Sequence, residues 1–139
     1  FGVLDRLGLS FDAWLYHPQI GELADLARAF PKTGIVLNHV GGPIGIGGYA
    51  GKHNEVFSAW VASIKALAAC SNVYVKLGGL GMPRLGFDWH TRQKPLGSEE
   101  LAGAMAPLLT YCIEQFGPTR CMFESIFPVD KVSFSYNVL

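Results

Sequence analysis

The sequence predicts an α/β fold made of four consecutive parallel βα units. Three observations carry that expectation. Short apolar runs recur four times, each bounded by glycine, proline or small polar residues. Between them lie stretches whose apolar residues repeat at helical spacing, and strand–helix alternation of this kind implies a parallel sheet with right-handed crossovers. Each apolar run also ends in a polar or ionisable residue, and in parallel α/β architectures the chemistry sits beyond the carboxyl ends of the strands.

Taken in order, residues 1–9 read as the tail of a helix with Gly8 as its C-terminal cap. A strand follows over 10–16 and ends at His17-Pro18, because proline cannot extend a central strand. Residues 19–30 form a helix with Ile20, Leu23, Ala24, Ala27 and Phe30 on one face, and Pro31 stops it. The second strand, 34–38, carries His39 at its exit. A glycine-rich loop over 41–53 leads to a helix with Asn54 as N-cap and an apolar stripe of Val56, Phe57, Trp60, Val61, Ile64, Leu67 and Ala68.

The third strand is 72–77. The irregular segment after it, 78–97, is too long for a passive connection, which marks it as a functional or mobile loop. Ser98 caps the next helix, with Glu99 and Glu100 in its first turn, where the helix dipole favours negative charge. Its face is Leu101, Met105, Leu108, Leu109, Cys112, Ile113 and Phe116, and Gly117-Pro118 ends it. The fourth strand is 120–124, and 129–139 begins a further segment.

The 139 residues suit a single domain, 1–139. Half are hydrophobic and 16% are charged, so a substantial core is expected. Eleven acidic residues balance eleven basic ones, which argues against nucleic acid, an acidic partner surface or a charged membrane face. No apolar run spans a bilayer and no signal peptide is visible. The chain begins at Phe1 and reads as an excised piece. Cys70, Cys112 and Cys121 form no C-x-x-C pair, and an odd count argues for reduced thiols and a cytoplasmic location.

Several residues stand where chemistry is expected. His17 and His39 end successive strands, about 4.8 Å apart in a parallel sheet, so they could share a metal or act as acid and base. Each could equally cap its own loop. His53 and His90 lie in loops and read as solvated. Lys76 sits inside a strand that should be buried, a costly place for an unpaired charge. Glu124, at the end of the next strand, is its expected partner. Gly45-Ile46-Gly47-Gly48-Tyr49-Ala50 satisfies the letters of a dinucleotide fingerprint. The strand is too far from the first glycine, however, and no acid ends the next strand, so a flexible active-site loop is the better reading.

The stretches Phe11-Asp12-Ala13-Trp14 with His17-Pro18, Val36-Leu37-Asn38-His39-Val40-Gly41-Gly42-Pro43, Asn72-Val73-Tyr74-Val75-Lys76-Leu77-Gly78-Gly79-Leu80 and Arg120-Cys121-Met122-Phe123-Glu124-Ser125 with Phe127-Pro128-Val129-Asp130 touch nearly the whole chain. In this order they resemble the amidohydrolase 2 family of (β/α)8 TIM-barrel hydrolases, which includes lactonases and decarboxylases. The resemblance implies a partial (β/α)8 barrel holding strands five to eight, the C-terminal half only. It places family site histidines on His17 and His39, as metal ligands or catalytic groups beside Lys76 and Glu124. It takes Asn38, Gly41, Gly42, Gly78 and Asp130 as substrate-binding residues. The family's first-strand His-x-His has no counterpart here. Many members carry Ser-Asp-x-Pro after the last strand, where this chain has Ser125-Ile126-Phe127-Pro128; Ile cannot take a proton or bind a metal, and Asp130 is a poor substitute.

The expected function is a hydrolase of a small lactone or carboxylated ring compound, with one divalent metal, zinc or manganese. A carboxylate or His would activate water while a metal or cationic side chain polarises the carbonyl, and Lys76 would hold a substrate carboxylate. The partner would be a small molecule, with no nucleic acid or membrane, and the open barrel edges would favour homo-oligomers. The chain by itself is expected to be inactive. Two alternatives stand beside this: a non-catalytic scaffold that binds a ligand or partner, and a flavodoxin-like binding domain with an anion site near 41–51.

Overall fold

The computed structural model describes all residues, 1–139. Strands β1 (Phe11–Ala13), β2 (Ile35–Leu37), β3 (Val73–Leu77) and β4 (Cys121–Phe123) form one sheet in the order β1-β2-β3-β4, and every adjacent pair is parallel. Helices α1 (Gly2–Leu7), α2 (Ile20–Ala29), α3 (His53–Ala68) and α4 (Ser98–Phe116) alternate with them. Strands that neighbour in sequence also neighbour in space, which is the winding of a partial (β/α)8 barrel.

The period-2 alternation of the strands decides which side is filled. Ile35, Leu37, Val73 and Val75 point to the helix side and are fully buried. Against them pack Ile20, Leu23, Ala24 and Ala27 of α2, Trp60, Ile64 and Leu67 of α3, and Leu101, Met105, Leu108 and Cys112 of α4. Burying each larger aliphatic side chain contributes about 1.5–3 kcal/mol. The other face carries Asp12, Val36, Tyr74, Lys76 and Met122, and stays partly open: Tyr74 and Met122 are each 38% exposed. The expected helical stripes are narrower than drawn. Phe57 and Ile113 are exposed, because no element lies outside α3 and α4 to cover them. Ile113 and Leu109 instead line an apolar cleft of about 490 Å³ beside β4.

Two polar side chains tie the layers together. Asn72 donates from Nδ2 to the carbonyls of Ala27, Phe30 and Thr33, closing the end of α2 onto β3. Arg120 donates to the carbonyls of Ala68, Cys70, Val73 and Phe116, joining the ends of α3 and α4 just before β4. Helix C-termini leave such carbonyls without intrahelical partners. The observed helices start slightly earlier than the expected caps: α3 begins at His53, ahead of Asn54, and α4 at Ser98 itself, with Gly97 before it. Strands are shorter than expected, and β1 pairs only over three residues. All three cysteines are free, and burial pushes the Cys112 thiol well up, as expected of an inert thiol. No helix is long and apolar enough to cross a membrane.

Candidate active site at the carboxyl ends of the strands

The chain leaves β2 through a strained turn. His39 (φ 54°) and Val40 (φ 49°) both adopt left-handed backbone, an outlier for a β-branched residue. The turn is held from below: the Trp60 indole donates to the Val40 carbonyl at 2.7 Å, and the Gly41 and Gly42 amides return to Asn38 and His39. This bend carries the His39 imidazole across the strand ends toward Glu124, which follows β4 directly.

His39 Nδ1 lies 2.6 Å from Glu124 Oε1, with side chains only 9% and 12% exposed. The close passage depends on glycine at the end of β3. A Cβ on Gly79, whose φ is +70°, would come within 2.7 Å of His39 Nδ1, and one on Gly78 would collide with the Glu124 carbonyl. With Nδ1–H donated to the carboxylate, Nε2 keeps its lone pair. Such a carboxylate–histidine pair can accept a proton from water or ligate a metal. The Trp14 ring stands edge-on to His39, centroids 6.3 Å apart.

Lys76 and Glu124 do not pair, which corrects the expected buried ion pair. Lys76 Nζ reaches two strands back, across Val36, to Asp12 Oδ2 at 2.8 Å. Those side chains are 24% and 53% exposed, so this is a solvent-facing pair on the open face. The physical reason is register: Lys76 sits opposite Met122 inside the sheet, whereas Glu124 lies past the end of β4 and turns to His39.

His17 and His39 follow adjacent strands at the same edge, yet each has separate partners. His17 is 4% exposed; its Nδ1 accepts the Ile44 amide at 3.2 Å, and its ring stands edge-on to Tyr49. Burial holds the imidazole below its ordinary pKa, and the Nδ1 lone pair is already taken by the Ile44 amide. No three His, Cys, Asp or Glu side chains converge to hold a metal ion. The donor set of these residues therefore does not fit a zinc or manganese centre shared by His17 and His39.

The expected substrate contacts fall into two groups. Gly41 and Gly42 are buried, and a Cβ on either would strike Ile20 or the Leu15 carbonyl, so with Gly78 they serve close packing. Asn38 Oδ1 and both carboxyl oxygens of Asp130 are buried without hydrogen-bond partners. Asp130 is fully buried beneath Gly81, in the 3-10 turn Val129–Val132. Burial pushes its carboxyl from 3.8 up to about 6; the charge of His39 opposes this, and Glu124 adds to the rise.

Sequence reasoning passed over Arg84. It lies in the turn Pro83–Leu85 of the long loop, over the face of Trp14 at 5.8 Å and bonded to the Tyr16 hydroxyl at 2.8 Å. The signal available was its place as the first of three cations in a glycine- and proline-punctuated loop already marked as functional or mobile.

An amidohydrolase family model matches residues 1–138. An uncharacterized Sinorhizobium fredii protein, y4mH, is 36% identical over 143 residues, covering 100% of this chain and 40% of its own length. The L-fucono-1,5-lactonase of Burkholderia multivorans is 26% identical over 127 residues, covering 91% of this chain and 40% of its own. A zinc-bound crystal structure of a B. multivorans amidohydrolase superposes with a TM-score of 0.78 at 25% identity, covering 96% of this chain and 43% of that one. Amidohydrolase 2 of Bifidobacterium longum subsp. infantis, at 20% identity and a TM-score of 0.63 over 96% of this chain and 41% of its own, shares the fold. The chain spans about two-fifths of the length of the relatives it matches. The expectation that the resemblance is to a C-terminal half only is corrected, because the match is not confined to a half and runs through nearly every residue. With a parallel βα sheet, a histidine–carboxylate pair at its carboxyl edge and this match over 1–138, the chain belongs to the amidohydrolase family.

Proposed function

We propose that the chain carries the proton-transfer pair of a hydrolase acting on a small lactone or carboxylated ring compound. The single observation behind this is the 2.6 Å His39–Glu124 contact at the carboxyl edge of the sheet. Glu124 orients the imidazole and stabilises its cationic form. His39 Nε2 then takes a proton from water as the water oxygen attacks the carbonyl carbon. When the ring C–O bond breaks, the same Nε2–H returns the proton to the leaving oxygen. The likeness to a lactonase supports a lactone as the electrophile. Asn38 and Asp130, with their oxygens buried, would act on substrate through neighbouring groups, and Lys76 is already matched by Asp12.

The test is ring opening of a lactone panel, followed as acid release, by the natural polypeptide that carries these residues and by its His39→Gln and Glu124→Gln variants. Loss of a proton-transfer group is expected to lower kcat by roughly 10²–10⁴. A His39→Gln variant at the parent rate would overturn the reading. Residues 1–139 carry Ile126 at the position where the resemblance leads one to expect an acid. They are expected to leave the panel at its uncatalysed rate. No turnover in the natural polypeptide, with ligand binding retained, would favour the non-catalytic scaffold.

A further inference from the structure

We propose that Arg84, stacked on Trp14 at the rim of the His39–Glu124 site, is the recognition residue for a carboxylate on the substrate. This rests on the hydrolase reading above and names the feature its substrate must carry.

Four observations carry it. Arg84 has no acidic partner: the chain's ion pairs are Arg28–Asp25, His39–Glu124, Lys76–Asp12 and Arg92–Glu100. Lys76, on the open face of β3, is neutralised by Asp12, so it does not compete with Arg84 for an anion. The guanidinium is also aimed. Its central carbon lies over the Trp14 ring at 5.8 Å, and Tyr16 takes one donor at 2.8 Å, leaving the rest of the fork unspent. A planar fork with free parallel donors matches a carboxylate edge-on.

The backbone beneath it is rigid although the side chain is exposed. Leu85 is 3% exposed, and the Arg84 carbonyl accepts the Gly45 amide at 2.9 Å. A Cβ on Gly45 or Gly86 would collide with the opposing loop, so the two loops are pressed together at this point. Finally, one Trp14 ring touches both groups, with Arg84 over its face and His39 at its edge. A compound bound by Arg84 is thereby held against the same aromatic wall as the proton-transfer pair. A single unpaired cation balances a single negative charge, which favours a monocarboxylate over a phosphate dianion.

The probe is benzoate, titrated calorimetrically at neutral pH into the natural polypeptide that carries these residues, with benzamide and inorganic phosphate as comparison arms. Benzoate is expected to bind about tenfold tighter than benzamide, the size of a partly exposed charge-assisted pair. Arg84→Gln should erase that preference, and Arg84→Lys should retain part of it while losing the fork. Both changes are on an exposed side chain, and an unchanged thermal midpoint verifies the fold. Benzoate binding no tighter than benzamide, or equally in Arg84→Gln, overturns the proposal. Phosphate binding tighter than benzoate overturns the carboxylate assignment. Lactone turnover reports separately. An Arg84-dependent benzoate preference without any ring opening defeats the hydrolase reading alone, and ring opening indifferent to Arg84 and to substrate carboxylates defeats this inference alone.

Discussion

Replacing Asp130 with Asn should stabilise the fold, and by an amount that depends on pH. The Asp130 carboxyl is fully buried, and neither oxygen has a hydrogen-bond partner. Its pKa rises from 3.8 to about 6 on folding. A carboxyl with a raised folded pKa binds its proton better in the native state. Its favourable contribution is therefore complete below the unfolded pKa and is lost as pH rises through the folded one. At about 1.4 kcal/mol per pKa unit, the loss reaches about 3 kcal/mol above pH 7 and is only about 1 kcal/mol at about pH 4.5. Asn has the shape of the protonated acid and does not titrate. Urea unfolding of parent and Asp130→Asn should show the variant more stable by about 3 kcal/mol at about pH 7.5 and by about 1 kcal/mol at about pH 4.5. A gain that is the same at both pH values, or no gain at neutral pH, would refute the burial argument. A carboxylate kept at this cost beside His39 and Glu124 is the kind of strain that functional sites retain.

Arg120→Ala strands carbonyls of Ala68, Cys70, Val73 and Phe116 and should cost about 2–4 kcal/mol by chemical denaturation. That loss should be insensitive to salt, because the acceptors are uncharged; a loss below about 1 kcal/mol would mean water replaces the side chain. A double-mutant cycle of Lys76→Met with Asp12→Asn should give a coupling of about 0.5 kcal/mol that fades with salt, whereas Lys76→Met with Glu124→Gln should show none. Ile126 sits at φ 47°, a backbone that suits Asn and strains a β-branched side chain, so Ile126→Asn should gain about 1 kcal/mol, read as a rise in thermal midpoint.

The order of elements was legible in the sequence because it is a local matter. Apolar runs such as Ile35–Leu37 and Val73–Leu77 can be buried only as strands between helices. The Leu101, Met105, Leu108 and Cys112 stripe has one possible face, and Pro31 and Gly117-Pro118 follow the ends of α2 and α4. The same alternation put His17, His39 and Glu124 at strand ends. Local pattern does not say which of those groups meet, since partners across a sheet are set by register and by the turns that leave it. Left-handed turns at His39 and Val40, and glycines 78 and 79 that let two chain segments approach, gave Glu124 to His39. Register across Val36 gave Asp12 to Lys76, the Ile44 amide took the His17 lone pair, and a loop pinned at Gly45 brought Arg84 onto Trp14. Those pairings join residues up to 85 positions apart, a separation over which only the folded chain decides what is near.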